Sequence, residues 1–291
     1  GRQGLNHPEV SMRISCTTVN FRRCSLDEAL TRIARAGYEY VETEANRDWC
    51  GHIDPAKDDP VRVKDRITAL GFRGITAMSC ARELVTDVSG KGVTDIQHAM
   101  RWARAAGIPV ILTGEGRKPP DMDEAEALEG LRGRLEQILT VAEECKVYLA
   151  MEPHGSISLA PGGLGRILGL VASPWIGVNF DTGNAHRGTY VGTDQVGFEW
   201  KLQAKASGDE VALLRPIATR VRHVHIKDVI GSRARTLGHG EVNLHGCLQL
   251  LKAAGYQGAM TYQTEGEDSP EESQRMIEES RSYLMQALRT L

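Results

Sequence analysis

Glu152, Asp181, His225 and Glu265 each close a short apolar run, and the four runs follow one another along the chain. Three carboxylates and one imidazole drawn to one place would repel one another and lose solvation, which raises carboxylate pKa values. A divalent cation removes that penalty. The donor set is hard and oxygen-rich, so it suits Mn²⁺ first, then Mg²⁺, with Co²⁺, Zn²⁺ or Fe²⁺ as substitutes. Within the first run, "LAMEPHGS", Glu152 and His154 lie two residues apart. In extended chain that spacing aims both side chains to one side. Other polar residues at the ends of runs are Glu42, Glu44, His186, His223, Lys227, Asp228 and Glu267. Any single strand-end carboxylate has a plainer role as a helix cap or an ion-pair partner. His223 and His225 also read as hydrogen-bonded core histidines. The weight lies in four matching positions on consecutive runs.

These side chains need a frame. Eight apolar runs recur, at 13–21, 38–45, 72–80, 108–116, 147–154, 176–186, 221–229 and 258–267. Amphipathic helical patterns separate them, for example at 25–37, 92–107 and 242–255. Ser25 and Glu28 have capping-box spacing, and Thr94 or Asp95 is the expected cap of the third helix. Gly37, Gly71, Gly107 and Gly255 stand where helices end. Strand–helix alternation requires a parallel sheet covered by helices. Eight units in this length predict an α/β fold, a single (β/α)8 TIM barrel, with its active site at the C-terminal ends of the strands. An open doubly wound sheet is the rival, but no G-x-G-x-x-G follows the first strand.

Composition limits the partners. The chain has 291 residues, 41% hydrophobic and 25% charged, with a net charge of −3. That balance gives no electrostatic pull toward nucleic acid or anionic membrane. No apolar run approaches the roughly 20 residues that span a bilayer. Six scattered cysteines without a C-x-x-C pair read as reduced thiols, and the expected location is cytoplasmic. Residues 1–11 read as a flexible leader and residues 12–291 as the barrel domain.

Beyond the frame, the segments "MEPHG", "NFDTGNAH", "VRHVHIKD", "TLGHGEVNLHGCLQLLKAAGYQG" and "TYQTEGE" resemble the xylose isomerase-like barrel superfamily, in its sugar phosphate isomerase/epimerase branch. The match is close from strand five onward and rests on rhythm alone before it. The resemblance implies that Glu152, Asp181, His225 and Glu265 hold one metal ion. It implies a sugar isomerase or epimerase that abstracts a proton next to a carbonyl through a metal-stabilised enediolate. Glu152 and Glu265 would be the acid/base pair, with His154 beside them as a further catalytic residue. The substrate-binding set would be Glu42, His186, Lys227, Arg235 and His239. Lys227 would stabilise oxyanion charge; its plainer role is an ion pair with Asp228 or a neighbouring strand. Asn184 stands where many ketose epimerases carry a histidine, and His186 follows two residues later.

The same metal and base also serve lyases, either an inosose dehydratase or an enzyme cleaving C-glycosides as 3-keto glycosides. An AP endonuclease is disfavoured, because it needs more strand-end histidines and a basic face. The segment 187–210 exceeds a minimal βα-loop. Its Tyr190, Phe198 and Trp200 would cover a sugar ring or an aglycone, or pack on the rim or a second subunit. The expected partner is a small carbohydrate, in a homo-oligomer or a complex with a second subunit.

Overall fold

The computed structural model describes residues 12–188 and 208–291; the leader expected over residues 1–11 and the aromatic residues Tyr190, Phe198 and Trp200 lie outside the described residues. Eight parallel strands close a barrel: β1 (Arg13–Thr17), β2 (Tyr40–Glu44), β3 (Gly74–Ser79), β4 (Val110–Thr113), β5 (Tyr148–Met151), β6 (Ile176–Asp181), β7 (Val221–Ile226) and β10 (Ala259–Tyr262). β10 pairs with β1 and shuts the cylinder. A two-stranded hairpin, β8 (Asp228–Ile230) with β9 (Arg233–Arg235), follows β7.

Helices cover the barrel. They are α1 (Leu26–Arg35), α2 (Pro60–Ala69), α3 (Lys91–Ala106), α4 (Glu124–Cys145), α5 (Gly163–Leu168), α6 (Thr182–Arg187), α7 (Glu210–Leu214), α8 (Leu244–Ala253) and α9 (Pro270–Arg289). Ser25 caps α1 by accepting from the Glu28 N–H, as its spacing implies. Gly107 ends α3 at φ 74°, a left-handed conformation that an L side chain disfavours. The cap expected at Thr94 or Asp95 is not formed. α3 begins earlier, at Lys91, and the Asp87 carboxylate accepts from the Val93 N–H instead. Asp95 pairs with Arg82 and Lys91.

The strands are shorter than the apolar runs that contain them, because the end of each run bends to form the mouth. The first run ends in a 3-10 turn, Thr18–Phe21. The sixth turns into α6, and Asp181 is both the last residue of β6 and the cap of α6, accepting from the Asn184 N–H at 2.9 Å. Strand pairing slips by one residue in two places, between Val41 and Thr43 of β2 opposite β3, and between Val178 and Asn179 of β6 opposite β7. Such slips re-aim neighbouring side chains. Both flank residues of the site described below.

Apolar side chains from the helices and the outer strand faces form the main core, with Leu30, Ile33, Met100, Ile111 and Phe180 fully buried. Inside the barrel the filling turns polar. Ser15, Thr76, His223 and Thr261 link β1, β3, β7 and β10 by hydrogen bonds of 3.0–3.2 Å. Burial first, then the neighbouring His225 charge, hold the His223 pKa well below its ordinary value, so this layer is neutral. All six cysteines are free thiols. Among the described residues, no helix is long and apolar enough to cross a membrane.

Candidate active site

Directly above that neutral layer the strand ends carry charge. Asp181 and His225 are register partners on β6 and β7, so they stand at one level. Glu152 follows β5, its N–H donating to the Thr113 carbonyl on β4 at 2.8 Å. Ligand atoms of Glu152, Asp181 and His225 all lie within 4.8 Å of one another. His225 Nδ1 is 2.6 Å from Glu152 Oε1 and 3.7 Å from Asp181 Oδ2. Asn179, two residues before Asp181, places its Nδ2 3.1 Å from Glu152 Oε1 and 3.2 Å from His225 Nδ1.

Glu265 joins this group through a lysine. Lys227 Nζ lies 3.1 Å from Asp181 Oδ2 and 3.0 Å from Glu265 Oε1, and Arg187 Nη2 donates to the same Glu265 oxygen at 2.8 Å. Lys227 therefore pairs with Asp181 and Glu265. Asp228, the partner offered by sequence, turns away and accepts from the N–H groups of Val229, Gly238, Gly240 and Val242. The loop bearing Glu265 is tied to the β1 end: Arg22 Nε donates to the Glu265 carbonyl at 2.7 Å, and Asn20 Oδ1 accepts from the Thr264 N–H and hydroxyl.

Burial and pairing set the protonation. Burial works against charge on His225, but Glu42 and Glu152 outweigh it and raise its pKa well above the ordinary value. Burial would raise Asp181, yet Lys227 and His225 hold it well below the carboxylate range. Glu265 is likewise lowered, because Lys227 and Arg187 overcome its burial. Lys227 is raised, its burial outweighed by Asp181 and Glu265. Burial and then the Glu42 charge push Glu44 well above the carboxylate range. His154 is lowered by its burial.

The donors fit a divalent cation. Asp181 Oδ2 is buried without an aligned hydrogen bond, and two further donors converge on it. An ion there would take the place of the proton between His225 and Glu152. Glu152 is the least buried of the three, its side chain 18% exposed against 2% for His225 and 0% for Asp181. It is thus the one most open to solvent.

The other residues singled out from sequence have different surroundings. Glu42 is fully buried, with Oε2 2.7 Å from His225 Nε2. It lies behind the histidine, closed to solvent, so the substrate contact expected of it is not available in this conformation. His186 Nδ1 sits 2.9 Å from Glu210 Oε2 and is anchored to α7. Arg235 and His239 are exposed and line a recess with Asp268, Glu272 and Arg275 at the start of α9. The backbone N–H of His154 donates to Ser158 Oγ, next to Glu152.

Sequence reasoning passed over Asn179, Arg187 and Glu115. Asn179 shares a strand face with Asp181, and that two-residue spacing was a usable signal. Glu115 was hidden in a strand end that reads as mild.

Comparison with known proteins adds the family. The model of the xylose isomerase-like TIM barrel family matches residues 30–287. A D-tagatose 3-epimerase-like protein superposes with a TM-score of 0.75 at 18% identity, covering 96% of this chain and 98% of that one. A protein named IolI with a bound zinc atom gives 0.75 at 13% identity, covering 96% and 99%. The probable 3-DHS dehydratase AsbF of Bacillus anthracis, involved in petrobactin synthesis, gives 0.71 at 15% identity, covering 94% and 99%. A search of curated proteins finds no match. A closed eight-stranded parallel barrel and a family model spanning most of its length agree: the chain belongs to the xylose isomerase-like TIM barrel family.

Proposed function

We propose that this chain is a metal-dependent sugar isomerase or epimerase that moves a proton at the carbon next to a carbonyl. The observation that carries this reading is the convergence of Glu152, Asp181 and His225 on one point beside a third carboxylate, Glu265, held by Lys227. Names of fold relatives support it, one being 3-epimerase-like and one a zinc-bound protein. Glu152, Asp181 and His225 would hold the ion, with Glu265 as the fourth candidate ligand. When bound, a divalent ion polarises the carbonyl and lowers the pKa of the adjacent C–H. Mn²⁺ is the first choice for the oxygen-rich set, and Zn²⁺ is compatible with it.

The protein's own groups divide the remaining work. Glu152, the most exposed of the cluster, takes the proton from carbon. Glu265 serves the opposite face. Lys227 and Arg187 supply fixed positive charge where oxyanion character grows. His154 bonds a substrate hydroxyl, its burial keeping the ring neutral.

A lyase is the second reading, favoured by one contact. Lys227 Nζ sits 3.0 Å from Glu265, so a fixed positive charge beside that carboxylate would offset the charge of a departing oxygen. The dehydratase among the fold relatives is consistent with it.

The test is deuterium uptake from D₂O by a panel of free ketohexoses, inososes and 3-keto glycosides, with Mn²⁺ present. Wild type exchanges the hydrogen next to the carbonyl of at least one class. Glu152→Gln and Glu265→Gln each abolish the exchange. Full exchange in either variant removes that residue from the acid/base role.

A further inference from the structure

We infer that Glu42 is the positioning residue that decides which nitrogen of His225 faces the metal ion; this rests on the metal-centred reading above. The two ring nitrogens of His225 meet different partners. Nδ1 points to Glu152 and Asp181, while Nε2 is 2.7 Å from Glu42 Oε2. Glu42 cannot serve the ion directly alongside them, because the imidazole ring stands between its oxygen and that cluster.

Apart from His225, Glu42 faces Glu44, whose carboxyl its charge helps to push up, and His223. Glu42 Oε1 has no hydrogen-bond partner among the described residues. His223 Nε2 comes within 3.8 Å of Glu42 Oε2, but it already meets Thr76 Oγ1 and Thr261 Oγ1 at 3.2 and 3.0 Å. His223 Nδ1 is taken by Asn179 Oδ1 at 2.9 Å. Asn179, fixed in this way, turns its Nδ2 toward His225 Nδ1 and Glu152. The β2–β3 register slip falls beside Glu42, the kind of irregularity that re-aims a side chain.

With its Nε2–H donated to Glu42, His225 is left in the tautomer whose Nδ1 lone pair faces Glu152 and Asp181. A carboxylate behind a ligating histidine fixes the ring orientation and makes the free nitrogen a better donor. Glu42, His225 and the ion thus form a relay from one wall of the barrel to its mouth. Glu42 contacts no substrate and moves no proton to it; it acts through His225.

The test is metal binding by the full chain after chelator treatment, for wild type, Glu42→Gln and Glu42→Ala. Mn²⁺ and Zn²⁺ are each titrated against a competing chromophoric chelator, and thermal unfolding of the metal-free proteins checks that each folds. Wild type binds one ion per chain. Glu42→Ala binds about 10–100-fold more weakly, and Glu42→Gln, which keeps an acceptor but not the charge, falls between. In the zinc-loaded wild type, ¹⁵N imidazole shifts report Nε2 protonated and Nδ1 ligating at His225. Ligation through Nε2 overturns the inference even if neither variant folds. Folded variants with wild-type affinity overturn it while leaving the metal-centred reading intact. Two ions per chain, the second lost in Glu42→Ala, also overturn it, since Glu42 would then be a ligand beside His223 and His225. A wild type that binds no ion refutes the metal-centred reading itself, and the inference with it.

Discussion

Glu115 grips Ser158 twice: the hydroxyl and the backbone N–H of Ser158 each lie 2.6 Å from a different oxygen of the buried carboxylate. Ser158 Oγ in turn accepts from the N–H groups of His154 and Gly155, both at 3.0 Å. One carboxylate from the β4 loop therefore sets the path of the β5 loop just after Glu152. Gly155 fits because a Cβ there would run into that carboxylate. We expect Glu115→Ala to lower folding stability by about 2–3 kcal/mol, since it strands a buried hydroxyl and a buried N–H. Gly155→Ala should weaken the protein in the same direction. Urea unfolding measures both, and a change below about 0.5 kcal/mol for Glu115→Ala would contradict the clamp.

The same carboxylate predicts a pH signature. Burial pushes Glu115 up to about 7, against the hydrogen bonds from Ser158 that favour its charge. Burial likewise brings Glu83 to about 7. The folded state then holds protons that the unfolded chain, with ordinary carboxylates, releases above about pH 4.5. Stability from these groups is full below that value and is lost as pH rises through 7. Relative to wild type, Glu115→Gln should therefore gain about 2–3 kcal/mol between pH 5 and pH 8. Urea curves at pH 5, 6, 7 and 8 measure the difference; a constant gap between the two proteins would refute the assignment.

Lys227 stands where a metal ion would feel it, between Asp181 and Glu265. Replacing it with Met leaves two buried carboxylates without that cation. The metal-free Lys227→Met protein should lose about 3–5 kcal/mol. Its Mn²⁺ affinity should rise by at least about tenfold, because a like charge a few ångströms away in a shielded site opposes the ion by well over 1 kcal/mol. Thermal unfolding with and without Mn²⁺ reads both effects. Unchanged or weaker Mn²⁺ binding would show that Lys227 does not compete for the site.

Asp228 organises the segment that follows β7. Its two oxygens accept four backbone N–H groups between Val229 and Val242. Asp228→Ala should cost at least about 3 kcal/mol, since charged acceptors contribute more than neutral ones. Amide exchange of residues 229–242 should speed up more than that of the barrel strands. Equal protection in variant and wild type would contradict this role.

The barrel was legible in the sequence because strands buried on both faces must be apolar and helices between them must be amphipathic. Gly107 and Ser25 marked helix boundaries through backbone chemistry that needs no tertiary context. Glu152, Asp181 and His225 were legible because they interrupt apolar runs. What was not legible depended on neighbours distant in sequence. Glu42 reads as a strand-end carboxylate until His225 is seen in front of it, 183 residues away. Arg187 gives no sign of meeting Glu265, 78 residues on. The cap of α3 was misread because Asp87, several residues before the helix, folds back to fill the place expected of Thr94 or Asp95. The β8–β9 hairpin was missed because two three-residue strands leave no periodicity to detect.

In the proposed mechanism Glu152, Asp181 and His225 hold one divalent ion at the mouth of the barrel. Anomalous diffraction from crystals grown with Mn²⁺ tests it most directly. One strong peak is expected within about 2.0–2.6 Å of a donor atom from each of the three, and it should vanish in Asp181→Asn. A strong peak elsewhere in the chain, or none at saturating Mn²⁺, would contradict it.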